Sequence, residues 1–370
     1  MIKCINIISD TNIGGAGKVL LSYLQNRNRS DFNQAVIVPQ GSLLIPEIEG
    51  LGVRVIPFNG MADRSYDKND VKGLMALLKK ERPDVVHCHG ALSGRIAATR
   101  CGIKSVYTRH TIADQPAYKK RFPFKQILGY INNHYSDVII AVSPAAKDNI
   151  VEIGTNPNKV EIVFNGIPHP PVLTEEEKRA VRKKYGIEEH AFVCAIIARL
   201  EEAKGHREVL EAANLLKQQG ENVIIVIAGT GSIKELLQAE AKAKNLTNVI
   251  FTGFLKNIWE IENIMNLQLN ASYVEATSMS LLEGMSLGIP AAVSRVGGNP
   301  YVIEDGVNGV LFPEKDGEAI ARAILRCKND ESLYRTMAAN CTKIFEQRFT
   351  GEVMARQIES IYRRLAQKGE

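Results

Sequence analysis

The chain has 370 residues, of which 45% are hydrophobic and 24% are charged. These values are ordinary for a folded protein and exclude a disordered or fibrous chain. At roughly 100–200 residues per domain, the length favours two domains. No apolar run approaches the roughly 18 residues that a membrane-spanning helix needs. The opening residues predict a strand rather than a signal peptide, so we expect a cytoplasmic protein.

The charge is unevenly distributed. Residues 1–170 contain 21 Lys and Arg against 14 Asp and Glu, a net charge of +7, whereas the whole chain carries +5. This excess predicts an anionic partner for the first half: a phosphate-bearing substrate, an acidic membrane surface or nucleic acid. The six cysteines include no CxxC pair. We expect reduced thiols rather than disulfides or a zinc site.

Short apolar runs alternate with amphipathic segments along the chain. Predicted strands in the first half are 2–8, 34–38, 53–57, 85–88, 105–107, 138–142 and 160–163. Those in the second half are 192–197, 223–227, 249–252, 267–270 and 291–293. Predicted helices are 18–25, 70–80, 144–153, 206–218, 233–244, 280–287 and 352–366. Val/Ile runs separated by helices indicate parallel sheets that are buried on both faces.

A domain boundary is predicted near residues 165–180, where a turn-rich stretch with three prolines precedes the acidic helix start Thr174–Glu177. We therefore predict two doubly wound α/β domains, the first over 1–168 and the second over 169–350. Residues 351–370 are predicted to form a helix that returns to the first domain.

Three segments follow strands at the edge where parallel sheets bind anions. Gly14-Gly15-Ala16-Gly17 leads into a helix, but it matches neither a P-loop nor GxGxxG. Arg199 and Lys204 follow the strand 192–197 and could clamp a diphosphate. Gly229-Thr230-Gly231 follows the strand 223–227. Each has a plainer interpretation, as a glycine-rich turn or a solvated charged loop.

Two glutamates eight residues apart, Glu275 and Glu283, flank a loop of small and hydroxyl residues. Such a loop offers free N–H groups to a phosphate or to sugar hydroxyls. Alternatively, Glu275 is a surface carboxylate, and Glu283 is a first-turn residue that forms a capping box with Ser280.

The joint order of these motifs resembles the retaining nucleotide-sugar glycosyltransferases of family 4, which have the GT-B fold. The resemblance covers nearly the whole chain and implies two Rossmann-like doubly wound parallel-sheet domains facing a central cleft. It further implies that the domain over 1–168 binds the acceptor and that the domain over 169–350 binds the nucleotide sugar. It departs from the family pattern at Ala198, where many relatives have Gly, and at Gly284, commonly Ala. Further matching segments are His87-Cys88-His89, Arg109-His110-Thr111, Val142-Ser143, Asn165-Gly166-Ile167, Gly288-Ile289-Pro290, Gly297-Gly298 and Asp305-Gly306-Val307-Asn308-Gly309.

The resemblance implies a role for each matching residue. Arg199 and Lys204 would hold the donor diphosphate, Glu275 would contact the transferred sugar, and His110 would lie near the reacting carbon. Glu283 would bind the ribose. Further donor contacts would come from Gly15, Ala16, Gly229, Phe254, Leu255, Thr277, Ser278, Met279 and Ser280. A packed or capping histidine is the alternative for His110, whereas for His87 and His89 the structural role is the favoured interpretation.

The resemblance further implies transfer of a hexosyl or N-acetylhexosaminyl group, with UDP preferred from family frequency. The acceptor would be a saccharide or lipid-linked saccharide in bacterial capsule or exopolysaccharide synthesis. No Asp-x-Asp occurs in the chain, so we expect no obligatory metal and no cofactor. Two rivals are a nucleotide-sugar epimerase of the same fold and a non-catalytic sugar- or nucleotide-binding module.

The segment around Lys119, Lys120 and Arg121 mixes positive charges with aromatic and aliphatic side chains and contains no acid. Such a segment suits an anionic membrane interface, although an ordinary exposed basic helix is the alternative. We expect peripheral contact with the inner face of the cell membrane. No nucleic-acid-binding motif accompanies the basic charge, so nucleic acid is not an expected partner.

Overall fold

The computed structural model describes residues 1–113 and 115–367, which form two compact units. The first unit contains residues 1–168 together with 348–367, and the second contains residues 169–347. Of the predicted C-terminal segment, residues 368–370 lie outside the described part of the chain.

The strands are β1 (Ile2–Ile8), β2 (Phe32–Pro39), β3 (Arg54–Phe58), β4 (Val85–His89), β5 (Lys104–Arg109), β6 (Val138–Ala141), β7 (Val160–Ile162), β8 (Phe192–Ile197), β9 (Val223–Ala228), β10 (Val249–Gly253), β11 (Leu267–Asn270), β12 (Ala291–Ser294) and β13 (Gly309–Phe312). The first unit contains a seven-stranded parallel sheet of order β3-β2-β1-β4-β5-β6-β7, and the second a six-stranded parallel sheet of order β10-β9-β8-β11-β12-β13. Both orders run outward from a central first strand, which is the Rossmann arrangement. The predicted fold class is therefore confirmed.

The helices connect successive strands or follow the last one. They are α1 (Gly15–Asn26), α2 (Leu44–Gly50), α3 (Lys68–Glu81), α4 (Leu92–Arg100), α5 (Phe124–His134), α6 (Pro144–Val151), α7 (Glu175–Lys184), α8 (His206–Gln218), α9 (Lys234–Ala243), α10 (Trp259–Glu262), α11 (Met279–Ser286), α12 (Asn299–Val302), α13 (Gly317–Asn329), α14 (Glu331–Arg348) and α15 (Gly351–Gln367). Helix α7 begins at the predicted acidic run, where Thr174 and Glu177 form a capping box.

Alternate side chains of β8 enter two different cores. Cys194 and Ile196 pack in one apolar cluster, whereas Val193 and Ala195 pack in another. This alternation requires helices on both faces of the second sheet, as the continuous Val/Ile runs predicted. Strand β13 was not predicted, because its four residues directly follow a turn in which Gly306 N–H donates to Gly309 O at 2.8 Å.

Helix α15 packs within the first unit, although it is the last helix in the chain. The ring of Tyr362 lies edge-on to Tyr23, with their centroids 6.1 Å apart. The Asn28 N–H donates to Glu359 Oε1 at 2.7 Å. The C-terminal segment therefore contributes buried aromatic and hydrogen-bonding groups to the N-terminal sheet.

Candidate active site

The carboxyl ends of β8, β9 and β11 are neighbours in the second unit, because β8 lies between the other two strands. The glycines here are closely packed against backbone. A Cβ atom on Gly205 would lie 2.1 Å from Ala271 O, and one on Gly229 would lie 2.0 Å from Ala198 O. Close approach of the loops therefore requires both glycines. The Gly229 N–H also donates to Gly253 O at 2.9 Å.

Lys204 and Glu275, far apart in sequence, meet at this edge of the sheet. Lys204 Nζ lies 2.7 Å from Glu275 Oε2, and the side chains are 22% and 13% exposed. Ser272 Oγ donates to the same carboxylate oxygen at 3.3 Å. The structure thus brings two of the predicted catalytic residues into a half-buried ion pair. Glu275 is not an isolated surface carboxylate.

The Gly297-Gly298 pair holds the backbone of Glu275. Gly298 N–H donates to Glu275 O at 2.8 Å. Gly297 has a φ of +50°, and a Cβ atom there would lie 2.0 Å from the same carbonyl oxygen. The left-handed conformation and the close approach both favour glycine. This motif therefore fixes the loop that carries Glu275.

Arg199 is exposed at the end of β8. The backbone on either side of it is held by β9 and the following loop, since Ala198 N–H donates to Ala228 O at 3.1 Å and Leu200 N–H to Thr230 O at 2.9 Å. The charged run around Arg199 is thus not a free loop, although the guanidinium itself remains accessible to an anion.

Helix α11 begins at Met279, with Ser278 as its N-cap. Ser278 Oγ accepts a hydrogen bond from Leu281 N–H at 3.4 Å. The alternative of a capping box between Ser280 and Glu283 is therefore wrong, because the helix starts two residues earlier than that box requires. Glu283 belongs to the second turn, not the first, and is half-buried.

The start of α11 is joined to β8, since Ser280 Oγ donates to Ile197 O at 3.1 Å. The first N–H groups of a helix have no intrahelical partner and attract anions. These groups lie at the end of the predicted Thr277–Ser280 donor loop, in which Thr277 is buried and the three following residues are half-buried. At Gly284, a Cβ atom would lie 2.3 Å from Gln268 Oε1, which explains glycine within this helix.

The two residues predicted to border the nucleotide base have different surroundings. The side chain of Phe254 is 77% exposed. Leu255 is partly buried and packs against an apolar cluster that includes Val193 and Ile261. Phe254 is therefore available for stacking on a ligand, whereas part of the Leu255 side chain serves the core.

In the first unit, the predicted glycine-rich segment forms the start of α1. Gly14 is the N-cap and supplies no side-chain hydrogen bond. Nothing would lie within 4 Å of a Cβ atom on Gly15, whereas one on Gly17 would lie 2.9 Å from Leu44 Cδ2. Gly15 and the half-buried Ala16 thus leave the uncapped helix start open to an anion, and Gly17 accommodates the packing of α2.

The three histidines of the first unit form a stack. Ring centroids are 4.4 Å apart for His87 and His89 and 5.2 Å apart for His89 and His110. His89 Nδ1 lies 3.0 Å from His110 Nε2. Burial lowers the pKa of His87 to about 3 and that of His110 to about 4. The three rings are therefore neutral near pH 7, because burial also lowers the pKa of His89.

Sequence reasoning missed the polar residues around this stack. They are Asn6, Tyr23, Gln34, Thr108 and Tyr362, all buried. The signal available in the sequence was a polar side chain within an otherwise apolar strand, as at Asn6 and Gln34.

The predicted membrane segment includes a short 3₁₀ helix over Ala117–Lys120, followed by α5. Lys120 and Arg121 are exposed, Lys119 is half-buried, and Lys120 Nζ lies 2.7 Å from Glu152 Oε2. Large apolar side chains beside them are exposed, with Phe122 at 81%. They are Tyr118, Phe122, Phe124, Ile127 and Tyr130. The surface is thus both basic and apolar.

Within residues 1–113 and 115–367, no helix combines the length and apolar character needed to cross a bilayer. Over the same residues, no group of three or more His, Cys, Asp or Glu side chains is placed to hold a metal ion.

Two family models match this chain. Residues 177–344 match the model described as glycosyl transferases group 1, and residues 13–169 match glycosyltransferase family 4. The chain belongs to the family 4 glycosyltransferases. Its enzyme class is thus transferase, and the predicted resemblance is confirmed.

The chain is 29% identical over 291 residues to EpsD of Bacillus subtilis, which is named as a glycosyltransferase, covering 74% of this chain and 75% of that protein. It is 25% identical over 286 residues to the Escherichia coli UDP-Gal:alpha-D-GlcNAc-diphosphoundecaprenol alpha-1,3-galactosyltransferase, covering 74% of each. The crystal structure of Anabaena Alr3699/HepE in complex with UDP is similar with a TM-score of 0.81, at 20% identity, covering 97% of this chain and 99% of that one. That last likeness shows the GT-B fold.

Proposed function

We propose that this glycosyltransferase moves a hexosyl or N-acetylhexosaminyl group from a UDP-sugar to a saccharide or lipid-linked saccharide, with retention at the anomeric carbon. The observation that carries the proposal is the Lys204–Glu275 ion pair at the carboxyl edge of the second sheet. The named donors and acceptors of the Escherichia coli relative and the UDP in the Anabaena structure support the substrate class.

Breaking the bond between the sugar carbon and the phosphate leaves negative charge on the diphosphate and positive charge on the sugar. Fixed cations aimed at the leaving group stabilise such a transition state. Arg199 is accessible, and Lys204 is already held beside a carboxylate. We assign both cations, together with the backbone N–H groups at the start of α11, to binding of the donor diphosphate. Because these groups supply positive charge, the proposed reaction needs no metal and no cofactor.

Glu275 is assigned to the transferred sugar and Glu283 to the ribose, so the two carboxylates are not an acid/nucleophile pair of the glycosidase type. Phe254 and Leu255 are assigned to the base. In the first unit, Gly15 and Ala16 are assigned to the phosphates and His110 to the sugar. The proposed cellular role is capsule or exopolysaccharide assembly at the inner face of the cell membrane.

A binding and turnover experiment tests the donor site. A thermal-shift screen with UDP-, GDP- and ADP-sugars identifies the donor, since a ligand at 100 times its dissociation constant adds about 2.7 kcal/mol of stability. Turnover is then followed as nucleotide release, with GlcNAc-diphosphoundecaprenol or water as acceptor. We expect Arg199→Ala and Glu275→Ala to lower turnover by about 100-fold or more, and EDTA to leave it unchanged.

The matched control is Arg322→Ala, which removes an exposed arginine of the same unit that pairs with Glu318. This variant should retain the wild-type rate. Near-wild-type turnover in Arg199→Ala and Glu275→Ala would reject the donor site, and loss of turnover with EDTA would reject metal independence.

For the membrane surface, we propose that Lys119, Lys120 and Arg121 bind anionic lipid while neighbouring exposed apolar side chains such as Phe122 enter the interface. Each removed charge should weaken binding by about 1 kcal/mol. The triple variant K119Q/K120Q/R121Q is compared by sedimentation with phosphatidylglycerol/phosphatidylcholine vesicles and with phosphatidylcholine alone.

The control variant K72Q/K79Q/K80Q removes the same charge from exposed positions on α3 of the same unit. We expect the first variant to lose binding to the anionic vesicles and the control to keep it. Equal binding by both variants would contradict a specific membrane surface.

A further inference from the structure

A continuous chain of hydrogen bonds crosses the interior of the first unit and ends at His110. Gln34 Nε2 donates to Tyr23 OH at 2.6 Å, and Asn6 Nδ2 donates to Gln34 Oε1 at 2.9 Å. Asn6 Oδ1 then lies 3.3 Å from His89 Nε2, and His89 Nδ1 lies 3.0 Å from His110 Nε2. Each of these contacts constrains the next.

The direction of the chain fixes where the imidazole protons reside. Asn6 presents its oxygen to His89, because its amide nitrogen is directed at Gln34. An oxygen can only accept, so His89 carries its proton on Nε2 and presents a lone pair at Nδ1. His110 must therefore donate from Nε2. In a neutral ring, this leaves Nδ1 without a proton.

His110 Nδ1 is itself buried and has no hydrogen-bond partner among the residues that the structure describes. A proton on this atom would be an unpaired N–H in the interior, which is a rare and costly arrangement. The burial of Nδ1 therefore favours the Nε2-protonated tautomer of His110. The hydrogen-bond chain that begins at Gln34 favours the same tautomer independently.

We propose that Asn6 and Gln34 are positioning residues for glycosyl transfer: through His89 they hold His110 as the tautomer that is protonated on Nε2 and unprotonated on Nδ1. The tautomer is a property of the protein without substrate. Its effect on turnover rests on the proposed function, in which His110 contacts the transferred sugar.

Nuclear magnetic resonance of the full-length protein labelled with ¹⁵N-histidine tests the tautomer directly, with the His110 signals assigned by loss in His110→Gln. We expect His110 Nδ1 to have the shift of an unprotonated nitrogen and Nε2 that of a protonated one. Gln34→Glu offers Asn6 an acceptor and should preserve this pattern. Gln34→Leu, of similar size, removes one of the two constraints, so the share of His110 protonated on Nδ1 should rise measurably.

Kinetics provide the second readout. Loss of a group that orients a functional residue often costs about 10–100-fold. We expect Gln34→Leu to lower kcat by such a factor with little change in the KM for the donor, and Gln34→Glu to recover most of the rate. If Gln34→Leu does not fold, Tyr23→Phe serves instead, because it removes the hydroxyl that orients Gln34.

A protonated Nδ1 in the wild-type protein would overturn the inference, as would an unchanged histidine spectrum in Gln34→Leu or in Tyr23→Phe. The expected spectra together with an unchanged kcat in the same variant would overturn the link to catalysis. Absence of sugar transfer by the wild-type protein would instead contradict the proposed function and leave the spectroscopic result valid.

Discussion

The two units have the same strand order near their centres but place their polar groups differently. In the second unit, β8 and β9 contain only apolar residues, and positive charge lies beyond the carboxyl end of β8, at Arg199 and Lys204. In the first unit, the central strands β1 and β4 carry Asn6, His87 and His89 inside the sheet layer.

This difference shows that one topology can form a site in two ways. The second unit uses the apolar strands β8 and β9 as a support for loops, and Gly205 and Gly229 let those loops approach neighbouring backbone closely. The first unit uses side chains within the sheet, which are held by hydrogen bonds because unpaired polar groups in an interior are costly. Gly229 in the second unit and Gly15 in the first therefore have different functions, and substitution distinguishes them.

The largest expected effect is that of Gly229→Ala in the second unit. The added Cβ would lie 2.0 Å from Ala198 O, and the residue has a φ of +147° that L side chains rarely adopt. We expect a loss of about 3 kcal/mol or more in the free energy of unfolding. Urea unfolding followed by the fluorescence of Trp259, the single tryptophan, measures it.

The matched substitution in the first unit is Gly15→Ala, where no atom lies within 4 Å of the new Cβ. Because alanine is favoured over glycine in a helix, stability should be unchanged or higher by up to about 1 kcal/mol. Circular dichroism follows its unfolding. Equal destabilisation by the two substitutions would refute the distinction between crowded and open glycines.

Much of the fold was predictable because buried parallel strands have long Val/Ile runs. The bounds of Ile2–Ile8, Phe192–Ile197 and Leu267–Asn270 match the prediction. The four-residue β13 was missed because a short edge strand after a turn has no periodic signal. The start of α11 was placed too late because Ser278 and Ser280 both satisfy N-cap preferences, and only the folded backbone selects Ser278.

The site was predictable only in part. Motif spacing predicted Lys204 and Glu275 as site residues. No local pattern indicated that these two residues, 71 positions apart, form an ion pair. Likewise, the contact between His87 Nδ1 and Tyr362 OH, at 2.6 Å, joins residues 275 positions apart. The second of these contacts depends on how α15 packs in the first unit, which no single segment encodes.

A smaller effect is the dependence of first-unit stability on pH. Burial lowers the pKa of His87 to about 3, below the value of about 6.5 that a histidine has when unfolded. Between these values, the unfolded chain binds a proton that the folded chain does not. Stability therefore rises with pH through this window and is lost on acidification, by at most about 1.4 kcal/mol per pH unit for one histidine.

The substitution His87→Asn removes the buried imidazole. Between pH 6 and pH 4, it should therefore lower the slope of the first unit's free energy of unfolding against pH by up to about 1.4 kcal/mol per pH unit. Thr108→Val is the control, because it removes the hydroxyl 2.6 Å from His87 Nε2 but keeps the histidine. Thr108→Val should lower the free energy of unfolding by about the same amount at every pH between 6 and 4. Urea titrations read by pulsed labelling of the buried Cys88 thiol report on the first unit. Identical slopes in His87→Asn and Thr108→Val would mean that the buried imidazole does not carry the acid sensitivity of the first unit.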